Sequence, residues 1–77
     1  MDMSQHDGTT MFRFVLRGEL IGNGVQDLEH AWIAAKSSLP GKEVVVDVSG
    51  IARADPAGGD LLSRMRKSGA RLTLTGA

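Results

Sequence analysis

From Met11 onward, apolar and polar residues take turns. Phe12, Phe14 and Leu16 fall on one side of a two-residue period and Arg13, Val15 and Arg17 on the other, which predicts a strand carrying both aromatic rings on one face. Gly18 interrupts the run, and Glu19, Leu20 and Ile21 either continue the strand past a bend or open a second short one. After the turn cluster Gly22, Asn23 and Gly24 the period changes. Val25, Leu28, Trp32, Ala35 and Leu39 recur at spacings of three and four, which places them on one face of a helix about four turns long. Gln26, Asp27, Glu29, His30 and Lys36 take the wet side. Asn23 is the candidate N-cap, and Pro40 with Gly41 stops the helix.

The run EVVVDV, Glu43 to Val48, is β-branched and does not alternate, so it reads as a central strand covered on both faces or nearly so. Ser49 and Gly50 are expected to end it. Asp55 is a natural N-cap for a second helix, with Pro56 at the first helical position, where its missing N–H costs nothing. Leu61, Leu62 and Met65 supply the inner face of that helix. Arg64, Arg66 and Lys67 complement its C-terminal dipole, and Gly69 closes it. Arg71 to Thr75 alternates again, with Leu72 and Leu74 expected inward and Arg71, Thr73 and Thr75 outward. Strand, helix and strand over Val44 to Thr75 form a crossover unit, which makes the two strands parallel and the connection right-handed. The fold class is α/β. Met1 to Thr10 shows no apolar period and is expected to be a disordered tail, leaving residues 11–77 as the domain.

Composition narrows the functions open to the chain. Its 77 residues, 42% of them hydrophobic and 23% charged, suit one small domain. At this size a domain buries only about 60% of its unfolded surface, so cover from a partner or a second copy in a homodimer is an early consideration. Nine Lys and Arg balance nine Asp and Glu, which gives no long-range attraction to nucleic acid or to anionic lipid. The absence of cysteine removes disulfides, thiolate nucleophiles and thiolate metal sites. The first ten residues lack the apolar stretch of a secretion signal, and no run approaches the roughly 20 residues of a membrane span. A cytoplasmic protein without direct membrane insertion is expected.

The order of elements, together with VVVDVSG, DPAGGDLL and GARLTLTG, resembles the STAS family over most of Phe12 to Gly76. The residues that carry the resemblance are Val46 to Gly50, Asp55 and Gly58, and Gly69 with Ala70. Gly18–Glu19–Leu20 ahead of a helix that ends in a Trp is similar to a bacterial subgroup of short, stand-alone members. The resemblance implies a mixed sheet with mostly parallel strands, amphipathic helices, and a non-catalytic role in signal transduction and regulation of transcription. The implied partner is a kinase-type anti-sigma factor. A second reading makes the chain an accessory subunit of a membrane transport ATPase, and a third a small-molecule-binding sensor. In anti-sigma-factor antagonists of this family the second helix starts Asp-Ser-Ser-Gly, and the second serine is phosphorylated. Here those positions are Asp55, Pro56, Ala57 and Gly58, so no hydroxyl stands at the acceptor position, Ala57. The resemblance therefore implies a permanently unphosphorylated form. Family members also continue into a further helix after the last strand, whereas this sequence stops at Ala77.

The candidate partner-binding site is Asp55, Pro56, Ala57, Gly58 and Gly59, with Ser49 at the end of the central strand. A helix start with free N–H groups and two glycines lets another backbone approach closely, although capping and helix-to-sheet packing explain the same residues. Gly58 and Gly59 each carry a helix cost near 1 kcal/mol. Trp32 suits the core better than an interface. His30 and Asp27 lack the further ligands of a metal site. Arg53, Arg64, Arg66, Lys67 and Arg71 suit dipole compensation and solubility as well as a basic patch. Asp47 and Asp55 flank the segment after the central strand, where α/β sheets tend to bind ligands, but neither a dinucleotide fingerprint nor a phosphate loop is present. With no cysteine and little histidine there is no acid–base constellation, and no enzyme, cofactor or metal is expected.

Overall fold

The computed structural model describes residues 1–38 and 41–74. Its elements run β1 (Asp2–Asp7), β2 (Met11–Leu20), α1 (Asn23–Ser38), β3 (Glu43–Ala54), α2 (Pro56–Lys67) and β4 (Arg71–Thr73). The strands form one sheet in the order β1-β2-β3-β4. β1 pairs antiparallel with β2, while β2, β3 and β4 run parallel. Phe14, Val46 and Leu72 share a rung of the parallel part. The core gathers on that face, where Phe14, Leu16, Leu20 and Val46 meet Val25, Leu28, Trp32 and Ala35 of α1 and Leu61 and Met65 of α2. Both helices therefore lie on one side of the sheet, as two successive crossovers of the same hand require.

Several expectations hold. The first four residues of the periodic stripe, Val25, Leu28, Trp32 and Ala35, are buried; the fifth, Leu39, and Pro40 lie outside the described residues. Trp32 is core, only 6% exposed, with the Lys36 ammonium 4.4 Å above its ring, a favourable cation–π placement. Asp55 caps α2, with Pro56 at its start. At the far end, the Gly69 and Ala70 N–H groups donate back to the Arg66 and Met65 carbonyls, the paired bonds of a Schellman close.

The structure corrects the sequence reading in four places and settles one open alternative. The N-terminal segment is not a tail, because Asp2–Asp7 forms an edge strand on β2. Only Met3 packs on the core. Backbone pairing holds the rest, which is why no apolar period marks the strand. Of the two readings open at Gly18 the structure takes the first: β2 continues past a register shift at Gly18/Glu19 to Leu20. Asn23 is already inside α1 and is not its cap; the preceding Gly22 N–H is instead taken by the Asp55 carboxylate.

Ser49 and Gly50 do not end β3, which continues to Ala54 through two register shifts against β2. The Asp47 carboxylate accepts from both the N–H and the hydroxyl of Ser49, and beyond it an extra β3 residue is taken up, so that Val15 faces Asp47 but Arg17 faces Gly50. A Cβ on Gly50 would stand 2.8 Å from the Leu16 carbonyl oxygen, so the bulge depends on a glycine there. Finally, β4 stops at Thr73, opposite Asp47. Leu74 falls past the last pair and is 78% exposed, not inward; Thr75 lies outside the described residues.

Candidate functional site

The start of α2 sits where β2 and β3 end together, Leu20 pairing with Ala54. Asp55 organises this corner. Its Oδ1 accepts the Gly58 N–H at 2.7 Å and its Oδ2 the Gly22 N–H at 3.2 Å, while its own N–H donates to the Leu20 carbonyl at 3.2 Å. One side chain thus fixes the first turn of α2 and the β2–α1 turn relative to each other. Donation from Gly58 first, then from Gly22, holds the Asp55 carboxyl below its ordinary value of 3.8, because both bonds favour the charged form.

The two glycines of the motif do different jobs. Gly58 points inward and is buried: a Cβ there would lie 2.5 Å from the Leu20 carbonyl oxygen and 3.0 Å from Leu20 Cγ. It is the contact that lets α2 settle on the end of β2. Around Gly59 there is open space. Pro56, Ala57 and Gly59 are exposed, so the outward tip consists of these three residues, beside a cleft lined by Ile21, Gly22, Arg53, Ala54 and Asp55. Ile21, Gly22 and Arg53 were absent from the sequence-derived site. The signal for Gly22 was its place in the turn before α1, but nothing local revealed that its N–H faces Asp55.

Ser49 does not join this cluster. It lies back along β3, about 20 Å from Asp55 at strand rise, bound to Asp47. Asp47 itself is buried. Its carboxyl is held below 3.8 by the Ser49 hydroxyl and then the Ser49 N–H, with Arg13 and Arg17 adding to the effect and desolvation opposing it. Asp47 and Asp55 therefore occupy different parts of the molecule and do not flank one ligand loop. Nor do the basic residues make one patch. Arg53 pairs with Glu19, Arg64 with Glu29 and Asp60, and Arg71 with Glu43, which spreads them over the surface as exposed ion pairs of small individual worth. Among the described residues no group of three or more His, Asp or Glu could hold a metal ion, and no helix is long and apolar enough to cross a membrane.

A mixed four-stranded sheet, mostly parallel, with both helices on one face is a STAS-like α/β fold. Solved structures with this arrangement include the unphosphorylated form of the anti-sigma factor antagonist SpoIIAA, at a TM-score of 0.70 and 20% identity over 92% of this chain and 69% of that one. The crystal structure of Mglu gives a TM-score of 0.71 and 18% identity over 91% of this chain. The chain spans only 18% of the length of Mglu. No family model matches the sequence, and no curated protein matches it.

Proposed function

We propose that the chain is a non-catalytic, cytoplasmic interaction module that docks on a regulatory protein through the exposed tip of α2, Pro56, Ala57 and Gly59, and the adjoining turn at Ile21 and Gly22. The observation that carries this reading is the division of labour between neighbouring residues: Gly58 and Asp55 lock the tip to the sheet, while Pro56, Ala57 and Gly59 stay open. A rigid, exposed helix start with little side-chain bulk suits close approach of another backbone and loses little entropy on binding. The likeness in fold to an anti-sigma factor antagonist supports a partner of the kinase-type anti-sigma class. With Ala57 at the acceptor position of the STAS pattern, the docking is constitutive and not switched by phosphate at that residue.

The test is affinity capture with the tagged chain, followed by identification of the bound protein and a repeat with Ala57→Arg. Recovery of an anti-sigma factor that Ala57→Arg no longer holds is the expected result. A transport ATPase subunit recovered in its place would move the assignment to that class. A bound small molecule and no protein would overturn the interaction reading.

A further inference from the structure

β1 is the outermost strand of the sheet, and its far edge has no partner among the described residues. It runs six residues, Asp2 to Asp7, and pairs with β2 without a register shift. Proteins usually guard such an edge with a bulge, a proline, a lysine or a very short strand. β1 has none of these. At the opposite edge, β4 is paired over Arg71–Thr73 alone. The two acids of β1 stand at its ends, and Asp7 is matched by the Lys42 ammonium. On the β2 side Asp2 faces Arg17 and His6 faces Arg13. On the open side an exposed carboxylate and an exposed imidazole are left four residues apart along the strand.

We propose that the β1 edge is a self-association site, separate from the α2 tip, and that its occupant is β1 of a second copy laid antiparallel across a two-fold axis. The pleat and the side chains together fix the register. Residues directly opposite each other must point to the same face of the joined sheet, so the axis passes through a residue and not between two. Centring it on Ser4 sets Asp2 against His6 of the other copy, Met3 against Gln5, and Ser4 against its equivalent, with the same contacts returned by symmetry. Each Asp2 carboxylate then lies between Arg17 of its own chain and His6 of the other, whose ring can donate an N–H to it in either protonation state. Centring on Gln5 would set Met3 against the acid Asp7, and centring on Met3 would pair only Asp2 to Ser4. Nine basic and nine acidic residues give the chain no net charge to hold two copies apart. A strand from another protein could use the same backbone groups, but only a second copy makes the Asp2–His6 contact twice. The joined sheet has both helix layers on one face and carries an α2 tip at each end, which makes the module bivalent.

The experiment is sedimentation velocity on the full chain over rising concentration, together with a cross-link. Strand pairing of this length is small beside the roughly 1,200 Å² of a stable interface, so a dimer in exchange with monomer, growing towards millimolar concentration, is expected. His6→Asp sets carboxylates opposite each other in both symmetric contacts and should weaken self-association about tenfold or more, with the thermal melt unchanged. Mixed with Asp2→Lys, it should form a heterodimer tighter than either variant alone, because each contact then joins opposite charges or an imidazole and a carboxylate. Should His6→Asp fail to fold, Ser4→Cys still reads the register. The chain has no cysteine of its own, and Cβ atoms facing each other across an antiparallel pair are about 4.5–5.5 Å apart, close enough for a disulfide after a small shift. Ser4→Cys should therefore oxidise to a linked dimer much faster than Ser63→Cys on the exposed side of α2. A monomer at millimolar concentration, self-association indifferent to His6→Asp, or equal cross-linking of the two cysteine variants would overturn the proposal.

Discussion

Placing a methyl group at Gly58 tests the packing that positions the α2 tip. The added Cβ would sit 2.5 Å from the Leu20 carbonyl oxygen, 3.0 Å from Leu20 Cγ and 3.3 Å from the Ala54 Cβ. The nearest atom is backbone, and that carbonyl already accepts the Asp55 N–H at 3.2 Å, so the strand end cannot swing away without breaking the bond. Overpacking of this kind costs about 1–3 kcal/mol, against a helix-propensity gain of at most about 1 kcal/mol for replacing a glycine. Because the overlapping atom is a held backbone oxygen, the cost falls at the upper end, about 2–3 kcal/mol, and the net expectation for Gly58→Ala is a loss of about 1–2 kcal/mol. In a domain of this size, where 1 kcal/mol moves Tm by about 4–8 °C, that is a drop of roughly 4–16 °C. Gly59→Ala meets open space and keeps only the propensity term, a gain of about 0.5–1 kcal/mol and a Tm raised by a few degrees. Thermal melts followed by far-UV circular dichroism, with urea denaturation as a check, read both signs. If Gly58→Ala melts at or above the parent temperature, the inward placement of Gly58 is wrong.

Other consequences are measurable with the same protein. Leu61→Ala empties a site with no exposure at all and should cost about 2–5 kcal/mol in urea denaturation; a change under about 1 kcal/mol would mean that α2 does not seal the core. Asp47 and Asp55 both have folded-state pKa values below 3.8, so the unfolded chain takes up their protons first as pH falls. Their contribution is present above about pH 4 and is lost on acidification below it. Asp55→Asn should flatten that acid limb of the stability curve and lower Tm at neutral pH, whereas an unchanged limb would separate Asp55 from the corner it is said to organise. Hydrogen exchange should find slowed amides within Asp2–Asp7, where the strand pairs with β2; exchange there at random-coil rates would return the segment to a tail.

The elements legible in the sequence were those whose burial follows a period. The stripe from Val25 to Ala35 and the Asp55–Pro56 helix start could be read directly, because a helix face and a cap each leave a local residue signature. What stayed hidden depends on pairing between distant segments. The polar β1 is held by backbone bonds to β2, with a single side chain, Met3, on the core. The extension of β3 to Ala54 rests on the Asp47–Ser49 bonds and on Gly50 lying against Leu16 and Arg17, a bulge that a string of residues reads as a stop. Both glycines of the α2 motif looked equally available for docking. Only the end of β2 beneath them distinguishes the packed Gly58 from the open Gly59. Ser49 reads as part of the site only if the strand finishes there; β3 continues to Ala54 and carries it away from the tip.

The claim that the tip of α2 is a docking surface is met most directly by calorimetric titration of the captured partner protein against three chains: the parent, Ala57→Arg, and Gln26→Arg as a control on the exposed side of α1. The account predicts at least about a tenfold loss of affinity for Ala57→Arg, since a long charged side chain would stand in the contact, with parent-like binding for Gln26→Arg and equal melting temperatures for all three. Equal affinity for the parent and Ala57→Arg would contradict it.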